Sequence, residues 1–259
     1  MKNFLILLLA SLPLITVSQN NTIASGETLK FTAAYNMSGI MTDIAEVTMQ
    51  TSSIKTSKAT LMRLKCTAAT YSKWDNFFKI RDLYESYVSP KSLTPYLYKR
   101  DIDEGGYYKF MQYKFSHSKG LVSSIMKKRR SNGTIWEEKK NVSIGSGTKD
   151  LVSTLYKLRT LDFSTMSNGS SKSFTVIFDN KSYIVNFKYL GKETINTNIG
   201  QKECYKLSIS INNSDVLKGA HNNLLWLTAD GNKIPVYAKF KIPVGNGELK
   251  IKSATGLKY

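Results

Sequence analysis

The sequence predicts a mainly β protein: one large curved antiparallel sheet, a barrel or half-barrel, with a single central helix packed on or in it. Three observations carry this. Stretch after stretch places apolar residues at alternate positions and joins them by short polar turns, the pattern of half-buried strands in a meander. Only one segment, 150–163, has the 3.6-residue period of an amphipathic helix. About a dozen strands in one chain make a sheet too wide to stay flat, so it curls.

An N-terminal meander spans 26–144. Its strands are read at Thr28–Tyr35, Ile40–Thr51 and Ala59–Tyr71, with Met37-Ser38-Gly39 turning the first into the second. Residues 72–88 are dense in rings, and the helical spacing of Trp74, Phe77 and Phe78 predicts a short helical turn running into an extended Tyr84–Val88. Pro90 and Pro95 stop helices and suit turns or edges. Strands follow at Leu97–Ile102, Tyr107–His117, Gly120–Arg130 and Thr134–Ile144. The Asn132-Gly133 pair predicts a type I′ hairpin, which needs positive φ at both central residues.

The helix 150–163 comes next, with Leu151, Leu155 and Leu158 as its stripe, widened by Val152 and Leu161, and with Asp150 or Thr148 as its cap. A helix this short is marginal alone, so it must bury that face against the sheet. A C-terminal meander, 173–255, completes a single domain spanning 19–259.

Residues 1–18 read as a secretory leader cut after Ser18: a basic start, an apolar run from Phe4 to Ile15, and small residues at 16 and 18. The expected location is the periplasm, with membrane contact peripheral at most and the protein monomeric. The formal charge of +18 attracts anionic surfaces, such as acidic lipid head groups, lipopolysaccharide phosphates or acidic glycans, or reflects lysine as the solvent-facing residue of many strands. Export argues against nucleic acid as the partner. Cys66 and Cys204 either pair across a long loop in an oxidising compartment or stand as two buried thiols.

No catalytic constellation emerges, and no enzyme, metal site or cofactor is expected. The two histidines, His117 and His221, lie in separate polar turns outside any HExxH or CxxC frame, and no GxSxG occurs. Asp101, Asp103 and Glu104 lack the ligand series of a calcium loop and, with Gly105-Gly106, read as a hairpin. Lys127-Lys128-Arg129-Arg130 reads as a basic handle or a solvated strand edge.

Several pieces, in order along nearly the whole chain, resemble the DUF3108 family of exported bacterial proteins. They are Gly26–Phe31, the Tyr35 to Gly39 step, Asp82–Val88 with Pro95, Asp150–Arg159, Gly200 ahead of Cys204, and Leu225–Pro235. The leader with Gln19 after the cut and the Lys/Asn-rich composition look like a Bacteroidetes member. The family has no established activity, so the resemblance implies no catalytic residue. The hairpin of Trp226 and Asp230 that ends at Ile234-Pro235 also resembles the closing hairpin of the lipoprotein carriers LolA and LolB, in which helices close a curved sheet over an apolar cavity.

These readings lead to a binding or carrier protein for a lipid, lipoprotein or other envelope component, or else to an envelope assembly factor that grips lipopolysaccharide or a partner protein. The candidate ligand contacts are Trp74, Phe78, Tyr84, Tyr87, Trp136, Tyr156 and Trp226. Arg159 follows the leucine stripe closely enough to be partly buried, and a buried guanidinium needs a carboxylate. Asp82 or Glu85 is the expected partner.

Overall fold

The computed structural model describes residues 20–37, 39–212, 223–242 and 245–259. The leader with its cut after Ser18, and His221, lie outside the described residues. The elements are β1 (Thr28–Met37), β2 (Ile40–Lys55), β3 (Thr60–Thr70), β4 (Ile80–Val88), β5 (Pro95–Glu104), β6 (Tyr107–Ser116), β7 (Leu121–Arg129), β8 (Ile135–Ser143), α1 (Leu151–Leu158), β9 (Ser171–Phe178), β10 (Lys181–Thr197), β11 (Gly200–Ile211), β12 (Leu224–Thr228), β13 (Pro235–Ile242) and β14 (Gly245–Thr255). They form one 14-stranded sheet in the order β8-β7-β6-β5-β4-β3-β2-β1-β14-β13-β12-β11-β10-β9. Each neighbouring pair is antiparallel, and the first strand pairs with the last. The edges β8 and β9 are not hydrogen-bonded to each other, so the sheet curls without closing into a barrel.

The register explains the core. Thr51, Leu64, Ser86, Tyr98, Tyr113 and Ser124 stand opposite one another from β2 to β7. Because side chains alternate faces with period two, such cross-strand rows line a single face. α1 lies on that face and touches β3, β4 and β9, so it spans both halves of the sheet. Val152, Tyr156 and Leu158 are buried, whereas Leu151 is exposed. The expected stripe holds at Val152, Leu155 and Leu158, and it turns away from Leu151 to take in Tyr156.

The helix is held at both ends. Asp150 caps it, accepting from the Ser153 N–H at 2.8 Å while Ser153 Oγ accepts from the Asp150 N–H at 3.1 Å. Ser86 of β4 donates to the second Asp150 oxygen at 2.6 Å. The helix ends at Leu158, short of the expected 163, because its last turn tightens to i→i+3 bonds from Thr160 to Lys157 and from Leu161 to Leu158. Beyond it Phe163 is buried between Tyr189 and Tyr205.

The strap before the helix spans the gap between the sheet edges. The Ile144 N–H bonds to Gly120 before β7, and Lys149 forms a parallel bridge with Val176 of β9. The 72–79 link holds a 3-10 turn, Ser72–Trp74, matching the expected helical turn. The 131–134 turn differs from expectation: Gly133 alone has positive φ, and the Arg130 N–H bonds to Thr134. That is a longer loop with one left-handed residue. The type I′ geometry falls instead on Asp179-Asn180, with φ of 46° and 62°.

Candidate functional site: a cationic cleft

The β9–β10 turn folds across the sheet onto β5 and β6, strands far from it in the sheet order. Asp179 accepts from both Arg100 of β5 and Lys109 of β6, the latter at 2.6 Å. The Asn180 N–H donates to the Tyr113 hydroxyl at 3.0 Å, and the Arg100 guanidinium lies 4.3 Å from the centre of the Phe178 ring. Arg100 and Lys109 are almost wholly buried and share the Asp179 carboxylate, while the field of Arg100 also reaches Asp82.

Beside this cluster opens a cleft of about 420 Å³, lined by Lys109, Met126, Lys128, Glu138, Lys140, Asp179, Asn180, Lys181 and Tyr183. The register builds it. Lys109 stands opposite Lys128, and Lys128 opposite Trp136, so these two lysines fall on one face. Cations outnumber acids here. Burial lowers the Lys109 pKa; the Asp179 bond opposes this, and Arg100 and Lys128 add to the lowering. Burial works against charge on Asp179, but its bond to Lys109 and the field of Arg100 prevail and hold its carboxyl below the ordinary range. Arg100 Nε and Asn180 Oδ1 are buried with no hydrogen-bond partner among the described residues, as are the Tyr98 and Tyr156 hydroxyls, Ser124 Oγ and Asp82 Oδ1. The excess of lysines in the lining, Lys109, Lys128, Lys140 and Lys181 against Asp179 and Glu138, suits an anion with several oxygens. Among the described residues no group of three or more His, Cys, Asp or Glu side chains is placed to hold a metal ion.

Residues 30–252 match the family described as protein of unknown function DUF3108. The chain belongs to that family. Among solved structures, the β-barrel-like DUF1849 protein from Brucella abortus covers 89% of this chain and 97% of its own, at 6% identity and a TM-score of 0.54, a likeness of fold alone. A Bacteroides fragilis protein with a YmcC-like fold overlaps 90% of this chain and 97% of its own, at 7% identity and a TM-score of 0.30. No curated protein matches the sequence.

In this DUF3108 chain the ligand contacts expected from sequence do not converge on one cavity. Tyr84 stands opposite Arg100 and Cys66 on the helix-bearing face, and Tyr156 is buried in α1. Trp136, on edge strand β8, is half-buried opposite the cleft lysine Lys128. Tyr87 lies on the other face, donating to Glu85 at 3.3 Å. Trp74 and Phe78 sit on the link before β4, where Trp74 Nε1 donates to the Asp43 carbonyl at 2.9 Å.

Trp226 is buried on the face opposite Leu225 and Leu227, which pack with Leu158 and Phe163 under α1. It lines a separate cleft of about 540 Å³, but its indole N–H is taken by Glu193, and Lys206 already covers its ring.

The proposed partners of Arg159 are corrected. Arg159 is fully buried and binds Glu27 through two bonds of 2.6 Å, with a further bond of 3.0 Å to the Asn232 carbonyl. Glu85 pairs with Arg63 on the other face of β4. Asp82 is buried beside Glu104, and burial, followed by that neighbour, raises its pKa to about 7.

Cys66 and Cys204 are free thiols, so the disulfide alternative falls away. Five strands lie between β3 and β11 in the sheet, and Cys204 alternates with Tyr205, which faces Phe163. His117 bonds through Nε2 to the Pro95 carbonyl at 2.7 Å and stacks on Phe115.

The cleft itself escaped sequence reading. Its one local signal was Lys127-Lys128-Arg129-Arg130, whose alternation sends Lys128 into the cleft while Lys127 and Arg129 reach Glu137 and Asp103.

Proposed function

We propose that this protein is an exported, non-enzymatic binding protein of the cell envelope that holds the anionic head of an envelope lipid or glycan in the cationic cleft. The supporting observation is the burial of Lys109 beside Arg100 on the shared carboxylate of Asp179, at the edge of a cleft that also presents Lys128, Lys140 and Lys181. Burying a cation without full compensation costs several kcal/mol, and a bound anion offsets that cost. The volume fits a head group rather than a whole lipid. α1 fills the helix-bearing face with Tyr156, Leu158 and the Arg159–Glu27 pair, which favours gripping a head over swallowing acyl chains. No helix among the described residues is long and apolar enough to cross a membrane.

The same filled interior supports a second reading, an assembly factor that uses the cleft to hold lipopolysaccharide phosphate while a partner protein binds elsewhere. Native mass spectrometry of protein purified without detergent, joined to calorimetric titration with pyrophosphate, tests the shared element. Lys109→Met with Lys128→Met is expected to weaken pyrophosphate binding by at least about tenfold, equivalent to about 1.4 kcal/mol. Unchanged affinity in that variant, or no binding by the wild type at low salt, overturns the assignment.

A further inference from the structure

The sheet's turns alternate between its two ends. The end that carries the β1–β2, β3–β4, β5–β6 and β7–β8 connections collects large side chains that the fold leaves in solvent. Ile40, Phe77, Phe78, Tyr107 and Ile135 are each 47% to 75% exposed. They do not dangle on isolated loops. The Tyr71 N–H bonds to the Ile44 carbonyl, and the Gly105 N–H bonds to the Lys79 carbonyl. Arg129 reaches the Gly106 carbonyl at 3.4 Å. These bonds tie successive connections into one rim from β2 to β7. Gly105 has φ of +55°, and a Cβ there would lie 2.6 Å from the Phe78 ring, so the β5–β6 turn props that ring in place.

Charge completes the surface. Most acids of the rim are engaged: Asp75 with Arg81 at 2.5 Å, Asp103 with Arg129 at 3.8 Å, and Glu137 with Lys127 at 3.0 Å, while Glu104 lies beside Asp82; Asp43 is exposed and makes no salt bridge among the described residues. Lys73, Lys79 and Arg130 make no salt bridge among the described residues, which leaves the rim cationic between its apolar tips.

We infer that this rim docks the protein on an anionic lipid bilayer, with Phe77 and Phe78 entering the interface and the free cations meeting lipid phosphates. Separated apolar tips with cations between them match a bilayer, which closes around each tip. A folded partner would have to supply a matching pocket for every one. Lys109, Lys128 and the Asp179 turn lie at this same end, so a head group at the bilayer surface reaches the cleft directly. The docking rests on the rim and stands whether or not the cleft binds an anion.

The test is flotation of the leader-free chain with vesicles of phosphatidylglycerol in phosphatidylcholine, against phosphatidylcholine alone. The wild type is expected to float with the anionic vesicles, less so as salt rises. Phe77→Ser with Phe78→Ser should cut the partition at least about tenfold. Lys109→Met with Lys128→Met should leave flotation in place, which separates failure of the rim from failure of the cleft. Because Phe78 also packs on Gly105, Phe77→Trp gives a second reading at a position that is 75% exposed, through a blue shift of its emission on anionic vesicles. Three results overturn the inference: no flotation by the wild type at low salt, no blue shift, or a serine variant that floats unchanged. Self-association that the serine variant abolishes, with no vesicle binding, assigns the rim to a second copy and equally overturns it.

Discussion

Glu27→Gln should be among the most damaging single changes in this chain. Arg159 is 0% exposed and Glu27 1%, and they meet through two bonds of 2.6 Å. The pair joins the residue just past α1 to the start of β1, and the Asn232 carbonyl fastens it to the β12–β13 loop. Glu27→Gln keeps the shape but leaves a buried guanidinium without its counter-charge, which costs about 3–5 kcal/mol. For a chain of this size that is a fall in melting temperature on the order of 10 °C. Arg159→Met alone should cost a similar amount, whereas Glu27→Gln with Arg159→Met should cost clearly less than the sum of the two, because neither charge is then buried alone. Urea unfolding of the four proteins closes the cycle. If Glu27→Gln shifts stability by less than about 1 kcal/mol, or the double variant is as damaged as the sum of the singles, the pair is not the clamp described.

Asp82 supplies a pH dependence. Burial, and then Glu104, raises its pKa from 3.8 to about 7, so the folded state holds a proton that the unfolded chain releases. This contribution to stability is present below pH 4 and is lost as the pH rises toward 7, by at most about 4 kcal/mol. Asp82→Asn should flatten the wild-type decline between those values in urea midpoints, and an unchanged slope refutes the assignment. Gly256 has φ of +65°, and a Cβ there would lie 2.2 Å from the Gly26 carbonyl oxygen, whereas Gly133, at φ +83°, meets nothing within 4 Å. Gly256→Ala should therefore cost more than Gly133→Ala, which should lose only about 1 kcal/mol, as melting curves would show. Burial pushes the Cys66 thiol to about 12 and Cys204 to about 11. Both should resist a thiol reagent in the native protein at pH 8 and react in denaturant without reductant. A denatured chain that shows thiols only after reduction would contradict the free cysteines.

The alternation of residues such as Leu64, Cys66 and Tyr84, Ser86 marked the strands, because period two is a local property of a half-buried chain. For the same reason, local pattern located α1 and its Asp150 cap. It erred where a tertiary neighbour outweighed propensity. The helix stops at Leu158 because the following residues turn away to bury Phe163 between Tyr189 and Tyr205. Asn132-Gly133 took a looser turn, and Asp179-Asn180 took the tight one, pinned by Arg100, Lys109 and Tyr113.

That Arg159 is at least partly buried and paired with a carboxylate followed from its place after an apolar stripe; its complete burial did not. The choice of Glu27 over Asp82 or Glu85 did not, because the partner is 132 positions away and is brought near only when β1 pairs with β14. The cleft shows the same division. Lys109, Lys128 and Asp179 look like ordinary surface charges in sequence, and only strand register and the fold of the β9–β10 turn gather them. The sequence by itself determined a β-rich chain with one plugging helix, since period and capping act within a few residues. Tertiary structure decided the open edge between β8 and β9, the ion pairs and the cleft, since each depends on register between segments distant along the chain.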